Sequence, residues 1–97
     1  MKEIKIAFAS KKVKKLFEEL KEGKFEDKKI YGFIQRAKKD LKINPTCGTK
    51  IPHNLVPEYY AQKYNINNLW KYNLPNAWRL IYTMKATQVI VLAIILE

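Results

Sequence analysis

Three polar side chains stand close together in the last third of the chain: Lys71, Asn73 and Arg79, within "NNLWKYNLPNAWRLIYT". Arginine offers a planar fork of N–H donors that matches phosphate oxygens, lysine a compact positive charge, and asparagine an uncharged amide. Brought to one surface, such a set would bind a phosphate-bearing ligand and stabilise negative charge developing on it. The same residues also suit an ordinary strand surface, with Arg79 a simple cross-strand partner, and spacing alone leaves both readings open. Other reactive groups are scattered. Cys47 and His53 are the sole cysteine and sole histidine, both in a proline-containing segment. One of each builds neither a disulfide framework nor a zinc site of the usual spacing, so no metal and no cofactor is expected. Tyr82 carries a phenol capable of proton transfer.

Whether the three polar residues meet depends on strand register. Trp70, Tyr72 and Leu74 alternate along one strand, and Trp78, Leu80 and Tyr82 along the next. A two-residue loop at Pro75-Asn76 would pair odd with even positions and split the aromatic set between faces. A three-residue loop, Pro75 to Ala77, keeps the set together, and this loop is predicted. Lys71 and Asn73 then share the opposite face with Arg79, Ile81 and Thr83, while Tyr82 points to the core. With helices packed on the aromatic face, the Arg79 face would be left as a shallow concave surface.

The elements that must supply those helices lie upstream. Ile4, Ile6 and Phe8 alternate with Lys5 and Ala7, the period of a short half-buried strand. Ser10 is a helix N-cap candidate, Val13, Leu16, Phe17 and Leu20 follow at helical spacing, and Gly23 is expected to end the helix in left-handed backbone. Asp27 is a second N-cap candidate, ahead of an apolar stripe of Ile30, Phe33, Ile34, Ala37 and Leu41 that stops before Asn44-Pro45. The outer lysines of this hairpin, Lys28, Lys29, Lys38, Lys39 and Lys42, form either a polyanion grip or simply a solvated helix face. Between Asn44 and Asn67, Pro45, Pro52, Pro57 and Gly48 interrupt any pattern. Pro57 there suits the first turn of a short helix containing Glu58, Tyr59, Tyr60, Lys63 and Tyr64. Three strands complete the chain: about Asn68 to Leu74, Trp78 to Thr83, and Gln88 to Leu96, the last apolar at consecutive positions and therefore covered on both faces. The predicted fold is α+β: an N-terminal strand, a two-helix antiparallel hairpin, then a three-stranded antiparallel meander, giving a small mostly antiparallel sheet with helices on one face.

Size and charge narrow the function classes. A chain of 97 residues with 47% hydrophobic content makes one domain with one main core. The formal charge of +10 favours a polyanionic partner, nucleic acid or acidic protein. Arg36 and Arg79 are the only arginines, so bidentate phosphate clamps are scarce. The opening residues lack the apolar core of a signal sequence and the longest apolar run is far shorter than a membrane span, so a cytoplasmic protein without membrane contact is expected.

The order of these elements, with the aromatic-Arg-hydrophobic-hydrophobic-Tyr pattern of "WRLIYT" in the middle strand of "NNLWKYNLPNAWRLIYTMKATQVIVLAIIL", resembles the RelE/ParE toxin superfamily. The segment "IPHNLVPEYYAQKYNINNLW" is similar to small archaeal members. The resemblance implies a single RelE-like domain over residues 1–97, acting as the toxin of a toxin–antitoxin pair and neutralised by an acidic antitoxin protein. In RelE-like members the activity is metal-independent cleavage of messenger RNA on the ribosome, which inhibits translation. Arg79 matches the middle-strand arginine and would stabilise charge; Lys71 matches less securely, its phase relative to Arg79 differing by one position. The apolar last strand lacks the basic residue that many active members carry there, and the sequence stops at Glu97, before the tail that often supplies a tyrosine or histidine in the family. The resemblance equally admits a non-catalytic RelE-fold protein that binds an antitoxin, RNA or, like ParE, DNA gyrase.

Overall fold

The computed structural model describes residues 3–96, without the side chains of residues 25, 26 and 96. Met1 and Lys2, on which the expectation about a signal sequence partly rests, and Glu97 lie outside the described residues. The elements run β1 (Lys5–Phe8), α1 (Lys11–Glu22), α2 (Phe25–Ile43), β2 (Thr49–Lys50), α3 (Glu58–Tyr64), β3 (Trp70–Asn73), β4 (Trp78–Lys85) and β5 (Gln88–Leu96), with a single 3-10 turn at His53–Leu55. The layout is the predicted α+β one. A five-stranded sheet has the order β1-β5-β4-β3-β2, with β1 parallel to β5 and every other pair antiparallel.

Local chemistry explains the helices. The Ser10 hydroxyl accepts a hydrogen bond from the Val13 N–H at 3.3 Å and starts α1. Its apolar stripe buries Phe17 and Leu20 while Leu16 remains 40% exposed. Gly23 ends the helix at φ −80, in extended rather than left-handed backbone, so the expected left-handed stop is absent. Asp27 is not a cap either: α2 begins two residues earlier, with Lys24 at the cap position and no side-chain hydrogen bond there. The stripe on α2 behaves as its period requires, burying Ile30, Ile34, Ala37 and Leu41 against the sheet. Truncating a side chain such as Leu41, wholly buried, costs about 2–5 kcal/mol. Phe17 stacks on Tyr31 at 4.7 Å and tilts against Phe8 at 5.3 Å, tying β1, α1 and α2 together. Lys38 lies over the Phe17 ring at 5.0 Å and the Phe8 ring at 5.7 Å. Burial, followed by the charge of Lys42, lowers its pKa. Lys38 thus covers an aromatic cluster while sharing the outer face of α2 with Lys39 and Lys42.

The β3–β4 hairpin has the predicted register. Trp70 faces Tyr82 and Tyr72 faces Leu80, and the Leu74 N–H donates to the Trp78 carbonyl at 2.8 Å, leaving Pro75, Asn76 and Ala77 as the loop. Asn76 and Ala77 both take positive φ, 63 and 64. In β5 a bulge interrupts pairing: Ile81 faces Ala93 but Tyr82 faces Val91, so Leu92 is the extra residue. The bulge switches the parity of β5, which lets Val89, Val91 and Ile94 all enter the helix-side core.

The opposite face is not left open along its length. Leu69, Ile81 and Leu92 form a second, smaller core there, covered by Tyr60 and Tyr64 of α3 together with Ile51, Val56 and Ile66. Pro57 precedes this helix as its N-cap, and Asn65 closes it in left-handed backbone at φ 51. Asn68 fastens the same edge, its side-chain carbonyl accepting from the Met84 N–H at 2.9 Å and its amide donating to the Met84 carbonyl at 3.0 Å. The buried Thr83 hydroxyl donates to the Asn68 backbone carbonyl at 2.7 Å. No described helix is long and apolar enough to cross a membrane.

Candidate functional site

Arg79 is the second residue of β4, half-buried, between Asn73 on β3 and Ile95 on β5. Lys71 is half-buried two residues further along the same face of β3, with Ile81 on one side and Thr49 on the other. Strand pleat and register therefore place Lys71, Asn73 and Arg79 on one face, as the parity argument predicts. Asn73 and Arg79 are directly opposed, with Cβ atoms about 5 Å apart, and Lys71 is diagonal to Arg79 at about 7–8 Å. A single phosphate with its flanking sugars spans such distances.

The concave surface expected around them is reduced to a strip. α3 and the loop before it occupy the half of the face that holds Leu69, Ile81 and Leu92. What remains beyond that cover is the hairpin end, where Thr49, Lys71, Asn73 and Arg79 run to an apolar border at Ile95, 36% exposed. The strip is polar and shallow; the cavities lie elsewhere, between α1 and α3, along the Lys39 face of α2, and beside Tyr72.

Tyr82 and Cys47 lie toward the helix side of the sheet rather than on the face of Lys71, Asn73 and Arg79. Tyr82 is wholly buried on the helix side, its hydroxyl donating to the Pro45 carbonyl at 2.9 Å. Burial, then the neighbouring Cys47, pushes its phenol up to about 12. Cys47 is exposed, yet partial burial and then the charge of Asp40 raise its thiol pKa, which opposes thiolate formation. His53 is exposed at the start of the 3-10 turn. Among the described residues no three His, Cys, Asp or Glu side chains gather as metal ligands.

One polar pair escaped the sequence reading. The Tyr72 hydroxyl donates to Asp40 Oδ2 at 2.5 Å, joining β3 to the end of α2 beside a cavity of about 320 Å³. This hydrogen bond, then burial and the Asp40 charge, pushes the Tyr72 phenol up to about 12. Tyr72 and Asp40 are 32 positions apart, and neither lies in a pattern that would have paired them. Comparison of the chain with protein-family models, with characterised proteins and with solved structures found no match.

Proposed function

We propose that this protein is the toxin of a toxin–antitoxin pair and a metal-independent endoribonuclease that cleaves messenger RNA on the ribosome. The observation that supports the reading is the shared face of Arg79, Asn73 and Lys71 at the open end of the β3–β4 hairpin, in a chain carrying +10 formal charge. In such cleavage the ribose 2'-hydroxyl gives its proton to a base and attacks the adjacent phosphorus, a 2'-O–P bond forms, and the bond to the 5'-oxygen breaks as that oxygen takes a proton from an acid. Arg79 would hold the phosphate and stabilise the extra negative charge of the five-coordinate transition state. Asn73, directly opposite, would orient a phosphate or sugar oxygen, and Lys71 would add the second cation on the same face. An acidic antitoxin would neutralise this basic protein by covering its surface.

A second reading follows from the surroundings of Arg79: the Tyr82 phenol is held on the other face of the sheet, against the Pro45 carbonyl. On that reading the strip binds an antitoxin, RNA or DNA gyrase without cleaving anything. Translation-coupled messenger RNA cleavage separates the two. Cleavage that Arg79→Ala abolishes supports the nuclease; cleavage untouched by Arg79→Ala removes the mechanism, and no cleavage by the wild type favours the binding protein.

A further inference from the structure

A groove opens at the edge of β5, beside the strip that holds Arg79. β1 pairs with β5 only from Gln88 to Val91, and Ser10 then turns the chain into α1. The strand edge at Leu92, Ala93 and Ile94 therefore meets a cavity of about 400 Å³ in place of a further strand, with α1 on one side and α3 on the other. Pockets for small organic groups run from about 300 to 1,000 Å³, so the space suits one such group. Ile81 faces Ala93 and Arg79 faces Ile95. Ala93, on the groove floor, is thus diagonal to Arg79 on the same face, at about 7–8 Å.

α3 gives this groove an aromatic wall. Tyr60 and Tyr64 turn toward the smaller core, whereas Tyr59 is 61% exposed. Tyr59 is nonetheless held in place. Its ring meets that of Tyr60 edge-on at 5.5 Å, and its hydroxyl accepts a hydrogen bond from Lys63 Nζ at 2.8 Å. A fixed ring left open to solvent presents a π-face to a planar partner. The rim is cationic: Lys12, Lys15 and Lys63 border the cavity, and its carboxylate, Glu19, stands 4.0 Å from Lys15.

We propose that the groove between α1 and α3 is a nucleoside subsite for single-stranded RNA: it takes the base of a nucleotide beside the phosphate held at Arg79, stacked on Tyr59, while Lys12 and Lys63 hold a phosphate further along the strand. The inference deepens the nuclease reading and rests on it for the class of ligand. Each feature of the groove has a counterpart in a splayed-out nucleotide. The Tyr59 ring matches the face of the base, the N–H and C=O groups of the strand edge match its hydrogen-bonding edge, and the ammonium groups match the flanking phosphate. An acidic peptide would engage the lysines and leave the Tyr59 face without a planar partner. Every base has a π-face, so the subsite fixes position along the strand more than sequence. Tyr59 is accordingly a positioning residue, which sets a phosphate against Arg79 without touching it.

The test uses the whole protein and a 2'-fluoro RNA oligonucleotide of about four nucleotides, which lacks the attacking hydroxyl, beside versions carrying one abasic position each. Binding is read by fluorescence anisotropy at fixed low salt. On the wild type, one abasic position is expected to weaken binding about tenfold. On Tyr59→Ala the intact oligonucleotide should bind about tenfold more weakly, and the same abasic position should cost nothing further. Tyr59→Phe keeps the ring and should keep wild-type binding. Lys12→Ala should reduce the salt slope by about one. The abasic series on the wild type stands if Tyr59→Ala fails to fold. Equal binding of every abasic oligonucleotide, an abasic penalty undiminished in Tyr59→Ala, or no binding at about 1 mM would overturn the proposal. A peptide of glutamate and leucine that protects the amides of residues 92–94 from hydrogen exchange where the oligonucleotide does not would assign the groove to a protein and overturn it as well. Cleavage lost in Arg79→Ala together with equal abasic binding would leave the nuclease standing and the subsite refuted. Base-dependent binding at Tyr59 without cleavage by the wild type would do the reverse.

Discussion

Asn73 and Arg79 face each other across the β3–β4 ladder, directly opposed at the open end of the hairpin, while Lys71 faces Ile81 one step deeper. The pairing makes a graded prediction. On the proposed nuclease reading, Arg79→Ala is expected to reduce translation-coupled cleavage by about a hundredfold or more, the usual effect of removing a donor to transition-state charge. Asn73→Ala should cost less, because an uncharged amide contributes a neutral hydrogen bond, and Lys71→Ala should fall between. Thermal melting should change little for Asn73→Ala, whose side chain is exposed. An Arg79→Ala protein that cleaves at the wild-type rate would remove Arg79 from the mechanism.

How far this geometry was legible in the sequence depends on where periodicity survives. Trp70 to Tyr82 alternates cleanly, so parity alone yields the three-residue loop and the common face of Lys71, Asn73 and Arg79. Val89 to Leu96 is apolar at every position, and a run with no alternation cannot reveal that Leu92 breaks its phase. β2 is only Thr49–Lys50, too short to carry any period, and its place at the sheet edge is set by pairing with β3. The cover that α3 gives to the Arg79 face was hidden for another reason. Tyr60 and Tyr64 are recognisable as an amphipathic pair, but nothing local says which face of a distant sheet they will meet. Gly23 and Asp27 show the converse failure, since each is the usual residue for a stop or a cap and neither is used that way.

The two raised tyrosines predict an alkaline limit to stability. The phenols of Tyr72 and Tyr82 are each pushed up to about 12, Tyr72 mainly by its hydrogen bond to Asp40 and Tyr82 mainly by burial. Unfolded tyrosine ionises near pH 10. The folded state therefore holds its phenolic protons more tightly, and this contribution is complete below about pH 10 and lost as pH rises toward 12. Melting temperature should fall steeply across that interval. Tyr72→Phe and Tyr82→Phe should each flatten the fall, while at neutral pH each costs about 1 kcal/mol for the lost hydrogen bond. Parallel pH profiles for wild type and variants would contradict this account.

Gly48 sets how closely the turn before β2 approaches the rest of the sheet. A Cβ there would lie 2.5 Å from the Tyr82 hydroxyl and 2.6 Å from the Lys71 backbone carbonyl. The carbonyl belongs to a paired strand and cannot swing aside. Gly48→Ala is expected to destabilise by about 1–3 kcal/mol, as overpacking does. It should also increase hydrogen exchange at Thr49 and Lys50, whose pairing with Lys71 and Trp70 would be pushed apart. Unchanged melting and exchange would show that the chain there relaxes freely.

Both hairpin turns store strain that glycine would release. Ala77, in the β3–β4 loop, has φ 64, and Ala86, in the β4–β5 turn, has φ 52. Left-handed backbone costs an L-residue about 1–2 kcal/mol through the clash of Cβ with the carbonyl oxygen. Glycine removes that clash but loses about 0.5–1 kcal/mol to the greater freedom of its unfolded chain. The net gain for Ala77→Gly or Ala86→Gly is therefore about 0–1.5 kcal/mol, each 1 kcal/mol being worth about 4–8 °C in melting temperature for a domain of this size. The positions flank opposite ends of β4, whose eight residues span about 26 Å, so the two gains should add in the double variant. Because neither change alters the pairing of Asn73 with Arg79, the stabilised protein should keep its cleavage or binding activity. A loss of melting temperature in either variant would mean that the alanine methyl makes packing contacts worth more than the strain it carries.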